Sequence, residues 1–464
     1  MTAQKKILFV HARGGVPVEH AIPRLAAVGE LHVLAISPLP TVGAEVWRPG
    51  CATVREYGDG HPVGEPLVDL IVDEAKQLGA DAVIGFSEYV LLAVATAAER
   101  LGLPGPGPNT RWSRDKRLMR EKWAEAQVPV PAFRRVGSEA GLRAAFAELT
   151  APMLLKPAWG AGSVGQAVLR DEADLGPAWE SITGALETLA SHGLGEYYET
   201  EAPRHLLVEE IIEGGTEGWY EEDGYGDYLS VEGIVARGEF HPLAITGRIP
   251  TIPPYTELSS HAPCALREDL QRRVEDVARQ AVDALRLETC GTHTEIKLGP
   301  DGRLTVIESA ARFGGSAITA VVETVHGIDM VTMLARELLG EPVDYPERMP
   351  VTAPTAAAEA SLIGTDASGN PWSGSPVWDS RTADLGRLVG PRSTVESVRG
   401  LTVSDGTRIP AYDAARGITN CAGMLFLTAP DNTQLLFDLY SVLNGMERRL
   451  TEAEAAATER DGRS

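Results

Sequence analysis

Glu295 and Glu308 stand on the two flanks of a short turn, in His293-Thr-Glu-Ile-Lys-Leu298, Gly299-Pro-Asp-Gly302 and Arg303-Leu-Thr-Val-Ile-Glu308. Both flanks alternate apolar and polar residues as strands do, and Pro-Asp-Gly is strong turn chemistry. A hairpin of this length can set the two glutamates across from each other on one face. Like charges placed so repel unless a cation sits between them. Hard oxygen ligands that leave room for waters and phosphate oxygens suit Mg²⁺. Ser309-Ala-Ala-Arg312-Phe-Gly-Gly315 comes directly after and puts a fixed cation just beyond the pair. A solvated acidic face is the alternative for two carboxylates alone; the arginine and the Gly-Gly turn favour a metal–phosphate site.

A second motif, Gly160-Ala-Gly162-Ser163-Val-Gly165, matches GxGxxG. A dinucleotide fold would need a helix after it. Instead the chain continues as Gln166-Ala-Val-Leu169, a strand pattern, and Met153-Leu-Leu-Lys156 before the motif is another. Such a strand–loop–strand unit is either a plain structural hairpin or a loop whose exposed N–H groups cover a nucleotide's phosphates. Lys156 favours the second, because a lysine on the preceding strand can reach those phosphates. There is no Walker A lysine. Three further groups suit the same site. Lys116 precedes an amphipathic helix. Glu209-Glu210 end the apolar strand Leu206-Leu-Val208, where backbone groups and a carboxylate can meet adenine and ribose. Glu232 lies mid-strand and could face a metal or solvent.

The elements that must position these residues begin with an α/β alternation. Ile7–Val10 reads as a buried strand, ended by Arg13-Gly14-Gly15, with a helix from about Val18. Leu31–Ala35 is the next strand, Leu67–Leu78 a helix stopped by Gly79, Ala82–Phe86 a strand and Tyr89–Leu101 a helix. This order predicts a parallel sheet. Ligands gather beyond the strand ends of such sheets, which makes Glu88 either a substrate contact or a helix N-terminal charge. Leu103–Pro108 marks a boundary. Beyond it, helices are predicted over Arg114–Ala126, Trp179–Ser191, Arg267–Leu285, Ser316–Leu339 and Thr433–Met446. Strands are predicted over Leu206–Glu210, Ser230–Ala236 and Ala422–Thr428, and a solvated tail over Glu452–Ser464.

At 464 residues the chain has room for two to four domains. Its net charge of −23 argues against a nucleic-acid partner, since phosphate neutralisation needs surplus Lys and Arg. Cys51, Cys264, Cys290 and Cys421 lack CxxC or zinc spacing and are expected as reduced, mostly buried thiols. Lys5-Lys6 precede an apolar run too short for a signal segment, and no stretch approaches a membrane span. A cytoplasmic protein with neither a membrane nor a nucleic-acid partner is expected, and its large apolar helices are compatible with a homodimer.

Taken in order, these elements resemble the ATP-grasp superfamily. Thr292-His-Thr-Glu-Ile-Lys-Leu298, Glu308-Ser-Ala-Ala-Arg-Phe313 and Tyr225-Gly-Asp-Tyr-Leu-Ser-Val-Glu-Gly233 are similar to the bacterial L-amino-acid ligases, the bacilysin-forming ligases among them. The likeness runs along essentially the whole chain and is most specific between about 205 and 330. It implies an N-terminal Rossmann-like domain (1–110), a central lid domain (111–235) and a C-terminal antiparallel-sheet domain (236–464), with 345–464 an additional subdomain. It implies ATP-dependent condensation of two amino acids, or an amino acid and a peptide, through an acyl phosphate. ATP and Mg²⁺ would be required, with Mn²⁺ able to replace Mg²⁺. By this resemblance Lys116, Lys156, Gly162 and Ser163 attend the ATP phosphates, and Glu209 with Glu210 lies at the adenine hinge. Glu295 and Glu308 bind the metal, Arg312 and Gly315 stabilise an oxyanion, and Glu88 and Glu257 hold the substrate amino group.

Two departures stand out. The family's substrate-loop histidine aligns on Ser260, with His261 beside it, so either the loop shifts by one residue or that role has changed. A tryptophan found in a family member after the glycine is Ser316 here, which predicts a roomier acceptor pocket. Two rival readings are an ATP-grasp carboxylase or nucleotide-biosynthetic ligase, and a non-catalytic ATP-binding regulator. Intact Lys156, Glu295, Glu308 and Arg312 speak against the regulator.

Overall fold

The computed structural model describes residues 4–57, 61–160, 165–191, 205–253 and 255–461; Gly162 and Ser163 lie outside them. Strands β1 (Lys6–His11), β2 (Glu30–Ala35), β3 (Thr53–Glu56) and β4 (Ala82–Ile84) form a parallel sheet of order β3-β2-β1-β4. β1 and β2 are apolar almost throughout because both faces are covered. Ile7 and Phe9 pack with the helix Val18–Val28 on one side. Leu8 and Val10 pack with the helices Glu65–Leu78 and Leu91–Leu101 on the other. β1 lies between β2 and β4, so the segments after β1 and β4 meet at the sheet's switch point, where ligands of open α/β sheets collect. There Ser87 Oγ donates to the Arg13 carbonyl, and Glu88 opens a short 3₁₀ turn.

β5 (Phe133–Val136), β6 (Met153–Pro157), β7 (Ala167–Leu169) and β8 (Leu206–Glu210) form an antiparallel sheet of order β5-β8-β6-β7. Met153 pairs with Leu169 and Leu155 with Ala167, so β6 and β7 flank the glycine motif as the strand–loop–strand pattern predicts.

β9 (Tyr228–Ala236) and β10 (Glu239–Thr246) come next, then β11 (Ser259–Ala262), which joins another sheet. β12 (Cys290–Leu298) and β13 (Leu304–Ala310) complete a sheet of order β10-β9-β12-β13, which runs across position 235. Side-chain alternation divides its faces. Leu229, Val231, Ile296 and Leu298 bury one face against Val274, Ala278 and Val282 of the helix Glu268–Leu285. Tyr228, Ser230, Glu232, His293, Glu295 and Lys297 share the other. The last sheet has order β11-β14-β16-β15, with β14 at Ala356–Leu362, β15 at Thr394–Ser397 and β16 at Gly423–Ala429. The helix Asn432–Asp461 packs on one face, while Ala262 and Ala357 meet Val321 and Val325 of the helix Ile318–His326 on the other.

Three expectations are corrected. The helix predicted over Arg114–Ala126 spans Lys116–Glu125, and Arg114 instead ends a separate short helix, Thr110–Arg114, that was not expected. They break at Asp115, whose backbone is extended (φ −94°, ψ 105°) while its side chain accepts from the Arg117 N–H at 2.9 Å. The span Ser316–Leu339 is likewise two helices, Ile318–His326 and Met330–Leu338, bent by 103°. Gly327, at φ 69°, caps the first, and Asp329 accepts from Thr332 N to start the second. Finally, the final helix continues to Asp461, because its Glu- and Ala-rich end is made of strong helix formers. Among the described residues no single helix is long and apolar enough to cross a membrane, and all four cysteines are free.

Candidate active site

Glu295 and Glu308 are direct cross-strand partners. From the turn inward the register runs Leu298↔Leu304, Lys297↔Thr305 and Ile296↔Val306, then shifts by one so that Glu295 meets Glu308. Without that bulge Glu295 would oppose Ile307, and Glu308 would point to the helix-covered face, because a one-residue slip exchanges the faces of a strand. The bulge therefore creates the carboxylate pair. It also lets Ile307 and Glu308 both line one cleft.

Cations from other sheets hold the pair. Lys116 Nζ lies 2.9 Å from Glu308 Oε2 and donates to the Gly160 carbonyl at 2.9 Å, tying the hairpin to the start of the glycine motif. Burial opposes ionisation of Glu308, but Lys116, Lys156 and Arg312 bring its carboxyl down to about 2. Burial and the charge of Glu308 push Glu295 the other way, above the usual carboxylate range. Behind Glu295, His293 bridges two acids. Its Nδ1 is 2.8 Å from Glu232 Oε1 and its Nε2 is 3.4 Å from Glu295 Oε1. Burial disfavours the imidazolium, yet Glu232 and Glu295 raise His293 to about 10. Glu232 is fully buried and also accepts from Ser230 and Thr246 hydroxyls, so it faces neither solvent nor the open cleft.

The cleft extends from these carboxylates to an apolar wall of Leu154, Pro157, Ile211, Ile212 and Ile307. Lys156 is buried against it and paired with Glu209, whose other oxygen accepts from Arg120 Nε at 3.0 Å. Burial disfavours the charged form of Glu209, but Arg120 and Lys156 keep its carboxyl below the ordinary range. The Glu209 carboxylate is thus committed to two internal cations. That of Glu210 accepts from the Thr150 N–H at 2.9 Å, leaving the apolar residues beside them to form the slot.

On the opposite side, Arg312 Nε donates to Glu88, and Arg114 Nε lies 3.5 Å from the same carboxylate. Residues from the first sheet and the hairpin are thereby joined. Glu257 lines the cleft with Glu295 and stands 3.6 Å from Arg248 Nε. The buried Arg248 donates to Thr246, Gly247 and Ser230. Gly315 faces the backbone of Gly15, and Ser316 adopts φ 54°, unusual for a residue with a side chain.

Ser260 and His261 point to opposite faces of β11. Ser260 Oγ donates to Glu359 Oε1 at 2.9 Å, and Glu359 Oε2 accepts from the Ala317 N–H, beside Ser316. His261 instead packs over Gly247 and against the Tyr225 ring at 5.5 Å, so it is not brought to the Gly315 turn. Burial, with Arg248 nearby, lowers His261 to about 3. Ser260, and not His261, is thus the member of this pair that is tied to the Gly315 turn, through Glu359.

Sequence reasoning did not find Arg114, Arg120, Arg248, His293 or Glu359. Alternation from Glu295 would have placed His293 on its face; Arg114, Arg120 and Glu359 meet partners remote in sequence. Among the described residues no three His, Cys, Asp or Glu side chains form a closed metal site. Two carboxylates that leave other positions to waters and phosphate oxygens fit a Mg²⁺ shared with a nucleotide.

Residues 149–320 match the ATP-grasp domain model, and the chain carries an ATP-grasp domain within a mixed α/β architecture. The alanine–anticapsin ligase of Bacillus subtilis (strain 168) is 34% identical over 308 residues, covering 66% of this chain and 64% of that ligase. The match thus spans just under two thirds of that relative's length. The L-amino acid ligase structure from Bacillus licheniformis superposes with a TM-score of 0.69 at 19% identity, covering 95% of this chain and 98% of that one. A biotin carboxylase from Campylobacter jejuni gives 0.64 at 17% identity, covering 92% and 88%, so the fold is shared well beyond the amino-acid ligases.

Proposed function

We propose that this chain is an ATP-dependent carboxylate–amine ligase that joins two amino acids, or an amino acid and a peptide, with release of ADP and phosphate. The observation carrying this is the bulge-set pair Glu295 and Glu308, ringed by Lys116, Lys156 and Arg312. The relationship to alanine–anticapsin ligase supports amino acids as the substrates, in preference to bicarbonate or formate.

A carboxylate is a poor electrophile until it carries a leaving group. Its oxygen attacks the γ-phosphorus of ATP, the bond to the β-phosphate oxygen breaks, and ADP departs. The nitrogen lone pair of the second substrate then attacks the acyl carbon. A C–N bond forms, the C–O bond to phosphate breaks, and the nitrogen's proton leaves with the departing phosphate. Phosphoryl transfer of this kind depends chiefly on positioning and charge stabilisation. The apolar slot receives the purine, and Lys116 and Lys156 hold the phosphates. Glu295 and Glu308 hold Mg²⁺, or Mn²⁺ in its place, which supplies charge neutralisation at the phosphate oxygens. Arg312 and Gly315 face the oxyanion, while Glu88 and Glu257 attract the substrate ammonium group. Ser316 leaves the acceptor side open to a bulky residue. With ATP and small molecules as its substrates, the enzyme works in the cytoplasm.

The test is ADP and phosphate release across paired amino acids and short peptides, with product masses. An amide product from at least one pair is expected. ADP release that requires bicarbonate and no amine would replace this reading with the carboxylase one.

A further inference from the structure

The sheet β11-β14-β16-β15 contributes nothing to the nucleotide cleft, yet it sends one carboxylate across to the turn that carries Gly315. Glu359 sits in the apolar run Ala356-Ala-Ala-Glu-Ala-Ser-Leu362 and is only 5% exposed. A carboxylate there is costly to bury unless its oxygens are engaged. Both are: one accepts from the Ser260 hydroxyl at 2.9 Å, the other from the backbone N–H of Ala317. Ala317 is the N-cap of the nine-residue helix Ile318–His326, whose start favours an anion. The residue before it, Ser316, is held at φ 54°, a conformation that persists where surrounding structure over-determines it.

We propose that Glu359 is a positioning residue for amide formation: from the C-terminal sheet it fixes the Gly315–Ala317 turn, with Ser260 locking the carboxylate in place. The proposal rests on the ligase reading for its chemistry but not for its geometry. The charges of Arg248 and Glu257 act on Glu359, and the half-buried Cys421 thiol feels Glu359 in turn. A carboxylate that acted only as structural filling would be replaceable by a small apolar residue without effect on the turn.

Glu359→Ala and Glu359→Gln separate these cases. The Gln amide oxygen can still accept from Ala317, and its NH₂ can donate to Ser260 Oγ, so this variant should keep most of the clamp. With Glu359→Ala, turnover to amide is expected to fall at least about tenfold while the KM for ATP changes less than about twofold. More than one ADP should appear per amide formed, as misplaced acyl phosphate is lost to water. Glu359→Gln should recover most of the coupling. Hydrogen exchange at the Ala317 amide should accelerate in Glu359→Ala only. An Ala variant that folds, exchanges at the wild-type rate and couples one ADP to one amide overturns the proposal. If the wild-type chain forms no amide, faster exchange in the Ala variant upholds the clamp and moves the failure onto the ligase reading; unchanged exchange overturns the clamp.

Discussion

Glu359 also makes a prediction about stability. Burial pushes its carboxyl from 4.5 up to about 7, against the helping contacts from Ala317 and Ser260. An acid whose folded pKa is raised binds more protons folded than unfolded between those two values. Stability therefore falls as pH rises from about 4.5 through about 7, and is level above that. Each factor of ten in the protonation equilibrium is worth about 1.4 kcal/mol, so the displacement corresponds to about 3 kcal/mol. Glu359→Gln has nothing to ionise and escapes this loss. The difference between variant and wild type should thus grow in the variant's favour by up to about 3 kcal/mol between pH 4.5 and pH 8. A chain of four sheets need not unfold in one step, so the measurement is hydrogen exchange of the β14 amides, corrected for intrinsic rate, which reads local opening. A difference that stays constant across this range refutes the reasoning, because the carboxylate would then be ionised as readily folded as unfolded.

Three other substitutions bear on the cleft. Arg312→Ala should lower kcat by roughly 10²–10³, the usual cost of one oxyanion donor, with little change in the KM for ATP; undiminished turnover removes Arg312 from that role. Glu308→Gln leaves Lys116 facing a neutral amide and should weaken Mn²⁺ affinity at least about tenfold, measured by electron paramagnetic resonance titration in the presence of ADP. Ser316→Trp should narrow the acceptor range in a product-mass screen; an unaltered range contradicts the open acceptor pocket.

The parts legible in the sequence were those fixed by local chemistry. Pro-Asp-Gly announced the hairpin, and strand patterns on both sides of the glycine motif excluded a dinucleotide loop, as β6 and β7 bear out. The bulge was not legible: nothing in Thr305-Val-Ile-Glu308 says which residue is extra, and only the demand that Glu308 face Glu295 selects Ile307. The helix breaks at Asp115 and Gly327 had readable signals, a capping side chain in one case and Gly followed by Asp329 in the other. Reading Ser316–Leu339 as one span passed over the second. Glu359 was hidden for the opposite reason, since a single charge inside an alanine-rich strand has no local partner to betray its use.

The charges of the cleft explain why its residues are scattered along the chain. Glu295, Glu308 and Glu232 lie on one face of one sheet, and among the described residues the cations packed there are His293, Lys297 and the buried Arg248, which reaches Ser230 and Thr246. Lys297 is committed to Asp227 at 2.7 Å. The remaining balance must come from elsewhere: Lys116 from the helix beside the second sheet, Lys156 from β6, and Arg312, itself held by Glu88 from the first sheet. Buried ion pairs of this kind stabilise weakly, but breaking one leaves an uncompensated charge that costs far more. Each of these three sheets consequently supplies a charge that another needs. The same ion pairs join the sheets and neutralise the cleft, so a substitution at any one of these residues should disturb how the sheets pack as well as the chemistry they perform.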